Sequence, residues 1–539
     1  MYKLLKDPLY GYISIEKKYM DIIVDNSAFQ RLRHVSQTSY SPLYSTALHN
    51  RFVHSIGVYH LGKIASTALE KSIEDGELIS SNLEKIKKLK KVFEIACLLH
   101  DIGHSPFSHT GEYFYLKEEG SKDEPLYKEL LKIINNDIFF KDFETARVRM
   151  TLGKPHEIMS AFLGIKLFSE LFCNQEFFAR CIIGLLYTDL SSVENQIKNA
   201  YIQLLNSSCI DVDKIDYLLR DAYVTGYETI SIDYKRLLTS VKIKKDSLIK
   251  ADGTPYYEYK LAFGKKSISV LENVVYAHDS ERKWIQNHPV ILYESFIIKN
   301  SIEKIVKYYN GLGLDIFSFE ALLMKGIEKN DKKISLLCDD DFIVTMKNFI
   351  NNDLIREYFD RTIRRHPVWK SESEYMALFG DKGEWGGVFT CKLGYLDKFL
   401  TEEAKSLVNN SVISLLDEKI KEIEKLELES MDKESQIQRY KTIKEIVNAL
   451  KDISEELNIP FDFVIIKTGM FNSGFSKDSI KNLNIDFPDI DKTLPLSQVT
   501  NLLGASPSQG DFYFIFYKRK GNETLSSHDF AMKLFEHFK

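Results

Sequence analysis

A chain of 539 residues with 44% hydrophobic and 28% charged side chains has the composition of a folded globular protein, and 26 Gly with 12 Pro exclude collagen-like and disordered classes. Seventy-two basic against 77 acidic side chains leave a net charge of −5, so no global basic field marks a nucleic-acid binder. The six cysteines are dispersed without a CxxC pair and no apolar run approaches a membrane span, which predicts a cytoplasmic protein without a thiolate zinc site.

The chain opens on MYKLLKDPLYGY, which carries charge and Pro where a signal peptide needs an apolar run. Most of the first 310 residues read as helices. From Leu83 to His100, residues Ile86, Leu89, Phe93, Ala96, Cys97 and His100 recur at three- and four-residue spacings, one buried stripe. Residues 230–280 break the pattern: YYEYKLAF (256–263) and SISVLENVVY (267–276) are rich in β-branched and aromatic residues near Asp252-Gly253, which predicts a small hairpin. Two charged helices are expected between Thr401 and Leu457, with EKIKEIEKLELE (418–429) the clearest. A solvated face with i,i+4 ion pairs is favoured there over a partner-binding coiled coil. FDFVIIK (461–467) and FYFIFYKR (512–519) read as strands, and Ser526 to Phe538 as a closing helix. GDKGEWGG (380–387) lacks the GK[ST] ending of a P-loop and reads as a turn or lid. The expected fold class is mainly α, a helical core (1–310), a helical region (311–457) and a small α/β C-terminal lobe (458–539).

Three segments carry chemistry. In ACLLHDIGHSPFSH (96–109), His100 ends an apolar stripe, Asp101 adds a hard anionic oxygen, Gly103 permits a tight turn, and His104 and His109 follow. Mixed nitrogen and oxygen donors suit Mn, Fe, Co, Ni or Zn, with Mg less favoured by imidazole. In HNRFVHSIGVYHLG (49–62), His54 shares a helix face with Val58, Leu61 and Ala65, a pattern that a core histidine also produces. In CIDVDKIDYLLRD (209–221), Asp213, Tyr217 and Asp221 fall at i, i+4 and i+8 beside the apolar Ile215, Leu218 and Leu219. Carboxylates near an apolar face are costly without a metal, cation or polar ligand, although pairing of Asp213 with Lys214 or Arg220 is the plainer alternative. Together, His54, His100, Asp101 and Asp213 form a two-His, two-Asp set on three helices.

This H…HD…D order resembles the HD superfamily of metal-dependent phosphohydrolases. FQRLRHVSQT (29–38), HNRFVHSIGVYHLG, HDIGHSPFSH and IDVDKIDYLLRD resemble its deoxynucleoside triphosphate triphosphohydrolase branch, from Asp7 to about His288. The resemblance implies that His54, His100, Asp101 and Asp213 hold one divalent ion. His104, His109 and His156 would be catalytic, with His104 the favoured proton donor to the leaving 5′-oxygen. Arg51 and Lys214 would hold the triphosphate, while Gln37, Tyr217 and Asp221 would contact the sugar. The implied reaction converts a dNTP to deoxynucleoside and inorganic triphosphate.

The resemblance further implies a homo-oligomer activated by GTP or a dNTP, through Lys3, Asp25, Gln30, Arg33 and Arg236, with Lys265 and Lys266 matching more loosely. FQRLR is also a segment that packs and caps helices in many HD proteins. Ile285 and Gln286 stand where the branch offers a tyrosine, which leaves base selectivity open. Alternatives are another HD phosphohydrolase, such as a nucleotidase or phosphodiesterase, and a nucleotide-sensing regulatory module. Nucleic acid is not the expected substrate and no membrane partner is expected.

Overall fold

A β-hairpin opens the chain: β1 (Tyr2–Asp7) pairs antiparallel with β2 (Gly11–Glu16), from Tyr2 opposite Glu16 to Asp7 opposite Gly11. Gly11 closes the turn at φ +77°, where a Cβ would be strained. Alternation then splits the faces: Ile13 and Ile15 are buried, whereas Tyr2, Leu4 and Tyr12 are exposed. This is a computed structural model. It describes the chain apart from residues 76–82, 113–124, 150, 228–230, 250–254, 315–326, 330–331, 335–336, 380–383, 405–406, 426–429, 470–482, 491, 501–510, 522–523 and 539. The expected Asp252-Gly253 turn and the first half of the Gly-rich loop at 380–387 lie outside the described residues; from Glu384 the chain is helical.

Two units make up the chain. One comprises Met1–Arg282, Ile298–Phe349 and Ser473–Ser506; the other comprises Lys283–Ile297, Ile350–Asn472 and Pro507–Lys539. The fold is mainly α, as the sequence predicts. Among the described residues no helix is long and apolar enough to cross a membrane.

The first unit is organised by helices α1 (Arg51–Asp75), α2 (Leu83–Leu99), α3 (Pro155–Phe168) and α4 (Val212–Thr225). Their predicted stripes are buried: Val58, Leu61 and Ala65 on α1, and Ile86, Leu89, Phe93, Ala96 and Cys97 on α2. Helix ends are set by local chemistry. Glu157 in the first turn of α3 accepts the Lys154 backbone N–H at 2.6 Å, and Asp211 caps α4 by accepting from Lys214 N at 2.8 Å. Gly226 ends α4 in the left-handed region at φ +65°.

The expected hairpin exists but is built differently. Its strands are β3 (Val241–Ile249) and β4 (Pro255–Gly264), while SISVLENVVY lies in helix α5 (Ile268–Glu281). Val270, Leu271, Val274 and Val275 are buried at helical spacing there, so packing of one face overrides the β preference of branched residues. β4 also pairs in parallel with Asn484–Phe487, which pairs with Lys492–Pro495. The stretch 458–539 thus supplies strands to two different sheets, because Phe463–Gly469 and Asp511–Tyr517 pair antiparallel in the second unit.

That second unit buries Trp369, Phe399, Leu416, Leu450 and Phe514 in one core. Its two charged helices, Asn410–Lys425 and Ser430–Glu456, place Val412, Leu416, Ile443, Ile446 and Leu450 in this core, and Lys444 donates to Asp417 at 2.5 Å. Their apolar faces are consumed by intramolecular packing, leaving the charges solvated as expected.

Gly103 is required for space and not for backbone conformation. A Cβ there would fall on Ser160 N and Met159 of α3, and Gly103 N donates to Ser160 Oγ at 2.8 Å. Gly103→Ala is expected to lower unfolding free energy by about 1–3 kcal/mol, the usual cost of overpacking. Urea denaturation of the metal-free protein measures this; an unchanged midpoint would show that the contact between the loop after α2 and α3 yields without cost.

Candidate metal centre and active site

α1, α2 and α4 bring His54, His100, Asp101 and Asp213 to one point. His54 Nε2 lies 2.9 Å from Asp213 Oδ1, 3.2 Å from His100 Nε2 and 3.5 Å from Asp101 Oδ2. His100 Nε2 lies 3.4 Å from Asp101 Oδ1 and 3.7 Å from Asp213 Oδ1. Donors bonded to one ion at about 2.0–2.2 Å lie roughly 2.8–3.6 Å apart in tetrahedral or octahedral arrangements, so His54, His100 and Asp213 come close to the spacing of a single cation, while Asp101 meets the two histidines through different oxygens. The donor chemistry agrees. His100 Nδ1 meets the Cys97 carbonyl at 2.9 Å and His54 Nδ1 meets Asp216 at 2.8 Å, so each ring has a partner at Nδ1 and turns Nε2 toward the other donors.

Electrostatics fit the same reading. Burial disfavours a charged His54, but hydrogen bonds to Asp213 and Asp216 outweigh it and push the imidazole up to about 10. Burial would raise Asp101, yet Arg51, His100 and His104 hold it well below the usual carboxylate range. Asp213, whose side chain is 37% exposed, is likewise held low by hydrogen bonds from His100 and His54 that overcome desolvation. Entry of a cation displaces the His54 proton, so its uptake weakens as pH falls.

A second cluster adjoins the first. Glu112 Oε1 lies 2.9 Å from His104 Nδ1, 3.0 Å from His156 Nδ1 and 3.1 Å from His109 Nδ1. The His104 and His156 rings stack at 3.9 Å, and His104 Nε2 is 3.3 Å from Asp101 Oδ1, so Asp101 faces both clusters. Burial and the Arg51 charge depress His104 to about 3, which leaves it neutral. His156 goes the other way: burial lowers it, but the Glu112 carboxylate raises it above its ordinary value.

Several predicted contacts have partners of their own here. Arg51 is buried, donating to Asp101 at 2.8 Å, Ser108 Oγ at 2.9 Å and the Gln37 carbonyl at 3.3 Å. Arg51→Met in the metal-free protein leaves Asp101 as a buried anion and is expected to lower unfolding free energy by about 3–5 kcal/mol. Equilibrium urea unfolding in EDTA checks it, and a stability equal to wild type would mean water reaches Asp101. Lys214 pairs with Asp211 at 2.5 Å and with the Ser207 carbonyl at 2.9 Å; neither Lys214 nor Arg220 is Asp213's close ion-pair partner. Asp221 meets His49 Nε2 at 2.7 Å. Burial and the carboxylates of Glu281, Asp213, Asp211 and Asp221 push the Tyr217 phenol well above its ordinary range. Among the described residues, the buried Gln37 Oε1 and His49 Nδ1 have no hydrogen-bond partner.

Among the predicted effector residues, Lys3 Nζ lies 3.6 Å from Asp25, and Arg33 donates to Gln30 Oε1 at 2.8 Å while stacking on Phe52 at 3.6 Å. Arg236 donates to the Lys266 carbonyl, and Lys265 pairs with Asp489. Ile285 is buried in the second unit.

Sequence reading missed Glu112, Asp216, His49, Arg31 and Asp339. Glu112 had a signal, an acid three residues beyond His109. Arg31, within FQRLR, donates to the carbonyls of Ile102 at 2.9 Å, His104 at 2.7 Å and Leu337 at 2.9 Å, and so shapes the HD loop. Asp339 accepts from Phe107 N at 2.7 Å and Ser36 N at 2.9 Å, pinning Phe107 at φ +58°. Only long-range contact reveals those two.

Residues 51–220 match the HD domain family. The chain carries an HD domain. An uncharacterized protein of Mycoplasma genitalium is 29% identical over 271 residues, 50% of this chain and 52% of that one. The deoxynucleoside triphosphate triphosphohydrolase SAMHD1 homolog of Dictyostelium discoideum is 28% identical over 284 residues, 51% of this chain and 46% of that protein. The matches thus span about half the length of these curated relatives. A solved phosphohydrolase from Bacteroides thetaiotaomicron covers 96% of this chain and 100% of its own at TM-score 0.53 and 17% identity, which shows a shared fold. The HD domain thus contains His and Asp side chains grouped closely enough to hold a divalent cation.

Proposed function

We propose that this HD protein hydrolyses deoxynucleoside triphosphates to deoxynucleoside and inorganic triphosphate. The observation that carries the proposal is Asp101, which faces the His54–His100–Asp213 donors on one side and His104 of the Glu112 cluster on the other. The triphosphohydrolase name of the Dictyostelium relative supports the substrate class.

His54, His100, Asp101 and Asp213 would hold the ion, which when bound supplies a Lewis acid for a phosphoryl oxygen and lowers the pKa of a water. The N2O2 set suits Mn, Fe, Co, Ni or Zn. The protein's own groups do the rest. Hydrolysis joins a water oxygen to the α-phosphorus, breaks its bond to O5′, and requires a proton on the departing oxygen. His156, raised by Glu112 where His104 is depressed, is the better donor in the unliganded protein, and the two rings stack. A neighbouring triphosphate would raise His104 as well. Arg51 holds Asp101, Lys214 supplies a cation beside the ligand-bearing turn, and Gln37, Tyr217 and Asp221 take the sugar. Lys3, Asp25, Gln30, Arg33 and Arg236 would bind an activating GTP or dNTP, in a homo-oligomer.

Incubation with Mn²⁺ and each dNTP, singly and mixed, with and without GTP, tests the reading by anion-exchange chromatography. Inorganic triphosphate with free deoxynucleoside is the expected product pair. Monophosphate with pyrophosphate, or no cleavage in any mixture, would overturn it.

A further inference from the structure

His54 does not stand alone behind its Nε2. Its Nδ1 is 2.8 Å from Asp216 Oδ2, and both residues are fully buried. Asp216 is in turn held on every side. Arg220 Nε donates to Oδ2 at 2.9 Å and Nη2 to Oδ1 at 3.0 Å, a bidentate fork one helical turn along α4. The Tyr10 hydroxyl donates to Oδ1 at 2.7 Å. Arg220 Nη1 reaches Asp7 Oδ2 at 3.0 Å, and Asp7 Oδ1 closes the β1–β2 turn by accepting from Leu9 N at 2.8 Å and Tyr10 N at 3.1 Å. The Tyr10 ring packs against His60 at 5.1 Å and Tyr234 at 5.3 Å. Helix α1 makes room through Gly57, where a Cβ would fall on Asp216 Oδ1 and Arg220 Nη2. Three elements distant in sequence thus converge on one carboxylate, and that carboxylate faces a ligand imidazole.

We propose that Asp216 is a positioning residue for the cation site, holding His54 with Nδ1 protonated and Nε2 aimed at the cation, and that the β1–β2 turn belongs to this device through Tyr10 and Asp7. The inference rests on His54, His100, Asp101 and Asp213 being the cation ligands. A neutral imidazole carries one N–H, so an acceptor at Nδ1 selects the tautomer that frees Nε2 and fixes the ring plane. Asp216 could not do this as a free rotor; its four acceptor positions are filled by His54, Arg220 twice and Tyr10, which leaves one rotamer. A buried ion pair is weak evidence for stability, so a purely structural role would leave cation affinity unchanged in a folded variant.

Mn²⁺ titration calorimetry on the full-length, metal-stripped protein decides the matter, with circular dichroism to select folded variants. Asp216→Asn is expected to weaken Mn²⁺ binding by about 10- to 100-fold, the usual effect of removing the partner behind a ligand histidine. Tyr10→Phe, which keeps the ring and removes one hydrogen bond, is expected to weaken it severalfold, and decides alone if Asp216→Asn does not fold. Asp213→Ala is the control that removes a ligand. If the control loses Mn²⁺ while folded Asp216→Asn and Tyr10→Phe bind like wild type, the inference is wrong and the ligand set stands. If wild type takes up no Mn²⁺, or the control binds like wild type, the ligand set itself fails and the inference falls with it.

Discussion

Asp213→Ala is expected to lower the rate of triphosphate release by about 10³-fold or more, because a cation that supplies several kcal/mol of transition-state stabilisation is lost and each 1.4 kcal/mol is tenfold. The fold should survive. Asp213 stands in the first turn of α4 with its side chain 37% exposed, unlike the fully enclosed Asp101. Its removal leaves His54 still paired with Asp216 at 2.8 Å. The carboxylate's loss also removes one of the groups that hold the His54 proton, so the apo protein should release that proton at lower pH. Single-turnover product release and a thermal melt read the two effects separately. Retained hydrolysis in a folded variant would remove Asp213 from the cation site.

Glu112→Gln is expected to cost about 10²–10⁴ in kcat, the range typical of general acid–base groups, and to move the alkaline limb of the pH–rate profile toward acid. The sign follows from the cluster. Glu112 raises His156 against the burial that would lower it, so the charged imidazole persists above its ordinary value of about 6.5 and the proposed donor role is lost only as pH rises through the raised value. The same linkage acts on stability. His156 binds its proton more tightly folded than unfolded, so that contribution is fully present below about pH 6.5 and fades as pH rises through the folded value. With Gln at 112 the largest charge raising His156 is gone and burial pulls its proton affinity down. An alkaline limb unmoved in Glu112→Gln would assign the proton to another group.

Much of the site was legible because helices repeat. His54 with Val58, Leu61 and Ala65, and His100 at the end of the α2 stripe, are histidines on buried faces, and the 3.6-residue period says so without coordinates. Spacing also put Asp213, Tyr217 and Asp221 on one side of α4. The strands Phe463–Gly469 and Asp511–Tyr517 were equally visible from their aromatic and β-branched runs. SISVLENVVY was misread for the same reason: composition favours a strand, but its apolar residues recur at helical spacing and the helix buries them. Proton roles were beyond composition altogether. His104 looked like the natural donor, yet its depression to about 3 depends on burial and on Arg51, fifty-three positions earlier in the chain.

By itself, the sequence determined the helical class, the ordered H…HD…D set and the solvated character of the two charged helices, since these depend on local period and residue type. Tertiary structure alone decided which groups meet. It set Glu112 among three histidines, Asp216 behind His54 with the β1–β2 turn behind Asp216, and Arg31 and Asp339 beneath the HD loop. Apart from Glu112 with its near neighbours His104 and His109, those contacts join residues dozens to hundreds of positions apart, and no local periodicity records a distance that only chain closure creates.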